Sequence, residues 1–189
     1  NEQIPSAEAQ ADAIIQDAEA QRAARINEAT AQVARFNAMY EEYIKNLGYD
    51  AFGLTMTRNE CDMKKLLSIL PFKTIATKSG MGWIGRSALL VTPEYGSAIA
   101  LGGILTDMPL EFDTPITDSE CDECTNCQDA CPVDAINPQK WNDRLNRSDI
   151  IDIEVCSEYI IDQYKAGLGC TKCMLECKKT QEYLERQGL

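Results

Sequence analysis

A chain of 189 residues with 44% hydrophobic residues is long enough for one domain plus an appendage. Thirty acidic against 18 basic residues give a formal charge of −12 without a basic stripe, which argues against direct binding of nucleic acid through phosphate contacts. Histidine is absent, which excludes His-ligated haem, His-containing zinc sites, Rieske centres and the commonest general base; no stretch approaches the roughly twenty apolar residues of a membrane span.

Residues 6–46 have a composition of their own, rich in Ala, Glu, Gln and Arg and free of Gly, Pro and Cys. Apolar or stem-burying positions recur at Ala11, Ile15, Ala18, Arg22, Ile26, Ala29, Val33, Phe36, Tyr40, Tyr43 and Leu47. Steps of three and four residues predict an amphipathic helix, with Pro5 and Ser6 suited to its start and Gly48 to its C′ position. The stripe is mostly alanine before Ile26, so its first half packs weakly; a projecting helix or a self-associating coil is expected over 6–46.

After Gly48, residues 49–57 have the aromatic and Thr content of a short strand, and 60–70 fit a helix stopped by Pro71, with Cys61 packing as a small apolar side chain. Residues 73–90 contain Gly80-x-Gly82-x-x-Gly85, formally a dinucleotide fingerprint. That motif needs a preceding strand, a following helix and a later acid; TIATKS is a poor central strand, so the glycines are read as a tight loop admitting close backbone approach, with Trp83 as a packing wall. Residues 88–92 and 97–106 are strand-like and joined by Pro93-Glu94-Tyr95-Gly96, which predicts a hairpin. A loop over 107–118 leads to the cysteines, a helix is expected over 149–164, and a solvated helix closes the chain.

Cysteine spacing carries the strongest signal. Cys121-x-x-Cys124-x-x-Cys127-x-x-x-Cys131-Pro132 is the bacterial run that ligates cubane iron–sulfur clusters, in which the fourth cysteine serves the other cluster of a pair. A second group, Cys156, Cys170, Cys173 and Cys177, repeats the close core. Crossed assignment gives one [4Fe–4S] cluster to Cys121, Cys124, Cys127 and Cys177 and a second to Cys131, Cys156, Cys170 and Cys173, using eight of the nine cysteines. Zinc modules present two separated Cys pairs instead, and disulfide scaffolds belong to oxidising compartments and small secreted domains. The predicted fold is therefore α+β: a long N-terminal amphipathic helix (1–46), a small antiparallel strand region with the GWIG loop (47–118), and a helical, ferredoxin-like double-cluster segment (119–189).

Two resemblances sharpen this. EAQADAIIQDAEAQRAARINEATAQVARFNAMYEEY resembles the helical tail of SPFH (stomatin/prohibitin) proteins, which implies coiled-coil walls; an ordinary leading helix or a chimeric join are the other readings. The chain opens at Asn1 without a methionine, as a fragment would. From Leu47 to Cys177 the chain resembles the C-terminal part of epoxyqueuosine reductases and corrinoid reductive dehalogenases, on SGMGWIGRSALLVTPEYG, LGGILTDMPL, and CDECTNCQDACPVDAI followed by CTKCMLEC. That resemblance implies a cobalamin near the GWIG loop, with Gly80, Met81, Gly82, Trp83 and Ser87 as its neighbours and the clusters feeding it single electrons. The family's N-terminal half has no counterpart here. Neither has the acid of its Val-Asp-Thr segment, near which Arg58-Asn59-Glu60 lies, so no proton donor is assigned; Glu60 and Asp62 read as helix N-terminal acids.

The function expected is an iron–sulfur electron-transfer domain of an epoxyqueuosine-reductase-like oxidoreductase, served by a redox partner protein. A ferredoxin-like carrier for a partner enzyme, or an assembly protein oligomerising through 6–46, are the alternatives. Thiolate ligands need reduced cysteines, which points to the cytoplasm.

Overall fold

The computed structural model describes residues 3–54, 68, 70–111, 113–165 and 170–189. The strand residues expected at 55–57, most of the expected helix over 60–70, Cys61, and the acids Glu60 and Asp62 lie outside them.

An uninterrupted run of good helix formers makes α1, Gln3–Asn46, whose 44 residues reach about 66 Å at 1.5 Å per residue. It ends in a Schellman motif: Gly48 has φ 91°, its N–H donates to Lys45 O (3.0 Å), and the Tyr49 N–H donates to Ile44 O (3.3 Å). Nearly all described side chains from Ala9 to Gln32 are exposed. From Val33 onward the helix lies on a two-stranded antiparallel sheet of β1 (Ala51–Leu54) and β4 (Gly103–Thr106), in register Ala51↔Thr106 to Leu54↔Gly103. Only one edge of β1 is paired with β4, and α1 side chains serve the other. Asn37 Nδ2 donates to Leu54 O (2.9 Å), and Glu41 Oε2 accepts the Gly53 N–H (2.8 Å).

This corrects the expected stripe. The buried face runs Val33, Asn37, Glu41, Ile44, while Phe36, Tyr40, Tyr43 and Leu47 are 42–58% exposed. An open strand edge must have its backbone groups satisfied, and that demand turns the polar side chains inward. Removing residues 3–32 is therefore expected to leave the melting temperature within about 2 °C of the full chain. Asn37→Ala is expected to cost about 1–3 kcal/mol by leaving a carbonyl unpaired; thermal unfolding of both variants checks the pair.

The expected hairpin is replaced by a different pairing. Thr92 and Gly96 close a tight turn through reciprocal backbone bonds of 2.9 and 3.0 Å, but the strands do not extend from it. Instead β3 (Leu90–Val91) pairs backward with β2 (Trp83–Ile84), and β4 pairs with the distant β1. The segment before the glycines is a helix, α2 (Phe72–Lys78), so the strand a dinucleotide fingerprint requires is absent. Ala76, Ile84 and Leu90 form a small core between α2 and the β2–β3 hairpin.

A second core holds the cysteine segments: Ala88, Ala135, Ile136, Ile150 and Ile151, with Trp141, Cys127, Cys131, Cys156 and Cys173 against it. The expected helix over 149–164 is two elements, the single turn α4 (Arg147–Ile150) and α5 (Ile153–Lys165). Ile151 is extended (φ −145°, ψ 136°) because it bridges Ile136, and the Asp152 N–H donates to Ala135 O at 2.8 Å. Asp152 Oδ1 then accepts the N–H groups of Glu154 and Val155, both at 3.2 Å, and so caps α5. The stitch carries Cys156 toward the segment of Cys131.

Lys73 on α2 is mostly buried, and its Nζ donates to Ala88 O at 2.6 Å. Burial, aided by Arg147, lowers its pKa to about 8. Below that value the folded chain carries a buried charge; above it the folded amine is neutral while the unfolded one stays protonated up to its ordinary range. Stability is therefore expected to rise between about pH 8 and pH 10, by about 2 kcal/mol after discounting the full 1.36 kcal/mol per unit for partial solvation. Urea unfolding of Lys73→Met alongside the parent checks this, the variant lacking that share of the rise.

Candidate metal centre

Two short loops with the same pattern, Cys-Thr-x-Cys-x-x-x-Cys, bring the thiols in. The first (124–131) holds the single turn α3 (Asn126–Asp129); the second (170–177) holds α6 (Lys172–Leu175). Their flanking residues match: Thr125 at φ −117°, ψ 2° against Thr171 at −133°, 13°, and Ala130 at −84°, −8° against Glu176 at −79°, −2°. α3 and α6 pack on each other, so the loops face one another with Cys127 and Cys173 at comparable positions.

Before α3 the chain turns at Asp122 (φ 47°), with the Cys124 N–H donating to Cys121 O at 3.0 Å. After α3, the Ala135 N–H donates to Cys131 Sγ at 3.3 Å. α7 (Lys178–Gln187) begins directly after Cys177. It is less solvated than expected, for Thr180 is fully buried and its hydroxyl accepts the Ser97 N–H at 3.0 Å, tying the helix to the turn at Gly96.

Burial pushes Cys127 up to about 11, with Cys121, Cys124 and Cys177 as the next contributors. Cys173 is pushed up to about 12 by burial, then by Cys170, Cys127, Cys156 and Cys131; Cys156 is raised by burial, then by Cys131 and Cys170. These eight cysteines are free thiols, each partly exposed. Among the described residues, no three His, Cys, Asp or Glu side chains close to the spacing of a single ion.

A cavity of about 400 Å³ is lined by Cys121, Cys124, Cys127 and Cys177 together. Its opposite wall comes from the GWIG loop. Gly85 carries no Cβ where one would sit 3.5 Å from Cys121 Sγ and 2.8 Å from Val91 Cγ2, so the backbone comes close to the thiol. Trp83 (1% exposed) and Ser87 (6%) line the same cavity, whereas Gly80, Met81 and Gly82 do not; Met81 is half exposed. Sequence reasoning passed over Arg86. It is 6% exposed, lines the cavity, and braces the chain on either side of the first cysteine loop: Nη1 donates to Pro138 O and Nη2 to Asp122 O (3.1 Å). Trp83 Nε1 and Arg86 Nε are buried without a hydrogen-bond partner, each at a cost of roughly 1–3 kcal/mol until an acceptor arrives. Converging thiols, unsatisfied donors and three basic side chains, Arg86, Lys178 and Lys179, fit a sulfur-rich anionic group.

No protein-family model matches the chain. It is 34% identical over 109 residues to the epoxyqueuosine reductase of Listeria monocytogenes serovar 1/2a, covering 54% of this chain and 28% of that protein. With the epoxyqueuosine reductase of Aliivibrio fischeri it is 30% identical over 156 residues, 80% of this chain and 38% of that one. That span exceeds everything after α1, so the likeness takes in the end of the helix. Among solved structures, an epoxyqueuosine reductase with an epoxyqueuosine-modified tRNA-Tyr stem loop superposes with a TM-score of 0.52 at 26% identity (76% of this chain, 36% of that one). A reductive dehalogenase whose structure suggests a mechanism for B12-dependent dehalogenation shares the fold, with a TM-score of 0.57 at 23% identity (72% and 19%). The chain thus resembles epoxyqueuosine reductases and, in fold, reductive dehalogenases, and it spans about a third of the length of the curated relatives it matches.

Proposed function

We propose that this chain holds two [4Fe–4S] clusters and works as the electron-transfer part of an epoxyqueuosine-reductase-like, cobalamin-dependent oxidoreductase. The observation that carries the reading is the crossed neighbourhood of the thiols. In support, Cys177 stands with Cys121 and Cys124 among the thiols that push Cys127 up, and Cys131 with Cys170 among those that push up both Cys156 and Cys173, although these partners are remote in sequence. Zinc modules present two separated Cys pairs; the run from Cys121 to Cys131 followed by Pro132 has the spacing of cubane ligation instead. Bound there, the clusters would supply low-potential one-electron transfer, and Cys127 lies near enough to Cys173 to help push its thiol up, which supports neighbouring sets.

Trp83 and Ser87 stand beside the first set, and with Gly80, Met81 and Gly82 they are the residues we assign to the neighbourhood of a corrinoid. The tRNA stem loop belongs to the relative's structure. At −12 this chain is better suited to a redox partner protein than to phosphate contacts of its own.

The test is iron, acid-labile sulfide, zinc and cobalt per chain, on protein prepared without air and offered cobalamin. About eight irons, eight sulfides and one cobalt are expected. The same iron without cobalt would favour the carrier reading, and zinc in place of iron would overturn both. Self-association through residues 6–46 is a second reading, favoured by the exposed Phe36–Tyr40 ring pair at 4.4 Å. Light scattering before and after removal of that helix tests it, and a monomer in both cases rules it out.

A further inference from the structure

We infer that Trp83 and Arg86 are positioning residues of the first cluster, donating hydrogen bonds from Nε1 and Nε to its sulfurs and thereby raising its reduction potential. The inference rests on the two-cluster reading. It starts from two donors that the fold buries and leaves unpaired in the wall of one cavity, the cavity that Cys121, Cys124, Cys127 and Cys177 line. Neither donor is free to turn elsewhere. Trp83 is held in β2, opposite Val91, with 1% of its surface exposed. The Arg86 guanidinium is pinned by Pro138 O and Asp122 O, and its buried Nε–H has no partner among the described residues.

The acceptors within reach are few. Glu120, Asp122 and Glu123 also line the cavity, but Glu123 is engaged with Lys140 at 2.8 Å, and neither donor bonds any of the three. A bound cluster brings acceptors of the right kind, inorganic sulfides and thiolate sulfurs carrying negative charge that increases on reduction. Donors aimed at those sulfurs stabilise the reduced form more than the oxidised one, and a buried guanidinium adds a positive charge in the same sense. A purely structural tryptophan would have no such effect on the cluster's potential.

Trp83→Phe keeps the ring and removes the N–H. In the full chain carrying its clusters, an EPR-monitored redox titration is expected to show one cluster harder to reduce. At a fixed potential its reduced-to-oxidised ratio should fall about tenfold, equivalent to 59 mV for one electron, with the other cluster unmoved. Trp141→Phe, in the neighbouring core, should move neither. Full iron with both potentials unchanged in Trp83→Phe would overturn the inference while leaving the two-cluster reading intact. A parent chain that takes up no iron would sink the reading and the inference with it. Should Trp83→Phe fail to hold iron, pulsed EPR on the reduced Trp141→Phe chain labelled with ¹⁵N-indole decides: a nitrogen coupling to one cluster is expected, and none overturns the inference.

Discussion

Serine at Cys177 is expected to remove or convert the same cluster as serine at Cys121, and serine at Cys131 the same one as serine at Cys156. Each single variant should lose about four of about eight irons, leaving the spectrum of the surviving cluster in place. This pairing runs against sequence proximity, because Cys131 closes the first motif and Cys177 closes the second. It follows from the way the two Cys-Thr-x-Cys turns face each other across α3 and α6, so that the last cysteine of each loop falls beside the other loop's set. Iron analysis with EPR of the four variants checks it. If Cys121→Ser and Cys131→Ser abolish one and the same signal, the sets follow sequence order and the crossed arrangement is wrong. The high thiol pKa values add a direction: ligation must displace protons from Cys127 and Cys173, so assembly grows easier as pH rises.

The likeness of the two cysteine loops was legible because both repeat one short spacing, and such a spacing needs only a single helical turn to take shape. Gly48 was legible for a similar reason: a left-handed cap is a local demand met by one residue type. The strands were not. Residues 88–92 and 97–106 carry enough β-branched and apolar side chains for a hairpin, yet Leu90–Val91 turns back on Trp83–Ile84 and Gly103–Thr106 finds Ala51–Leu54 about fifty residues upstream. Such pairing is decided by which edges remain open after the rest has packed, and a propensity pattern does not contain that. Phe36, Tyr40 and Tyr43 misled in the same way. Their helical spacing matched a buried stripe, but the edge of β1 asked for Asn37 and Glu41 instead. Arg86 was passed over because one arginine beside a glycine loop has no spacing signal; only the assembled cavity reveals it as a brace across the two ends of the first cysteine loop.

Gly82→Ala is expected to be the most damaging single methyl that can be added to the GWIG loop. A Cβ there would lie 2.1 Å from Val91 O, 2.9 Å from Val91 C and 3.2 Å from the Thr92 Cα, all backbone atoms of the paired strand. A side chain could turn away from such a contact; a backbone held in the β2–β3 register cannot, so the hairpin must open. We expect a loss of about 3 kcal/mol, the upper part of the range for overpacking, and a melting temperature about 6–12 °C lower at this chain length. Gly48→Ala makes the comparison sharp. Its Cβ would meet nothing within 4 Å, so only the strain of φ 91° remains, worth about 1 kcal/mol. The two variants should also part in their iron. Opening the hairpin displaces Trp83 and draws Gly85 away from Cys121, so Gly82→Ala should lose the cluster of Cys121, Cys124, Cys127 and Cys177 preferentially, while Gly48→Ala keeps both. Equal melting temperatures and equal iron in the two variants would mean that the GWIG loop is not the wall of the cluster site, and that its glycines serve only the turn.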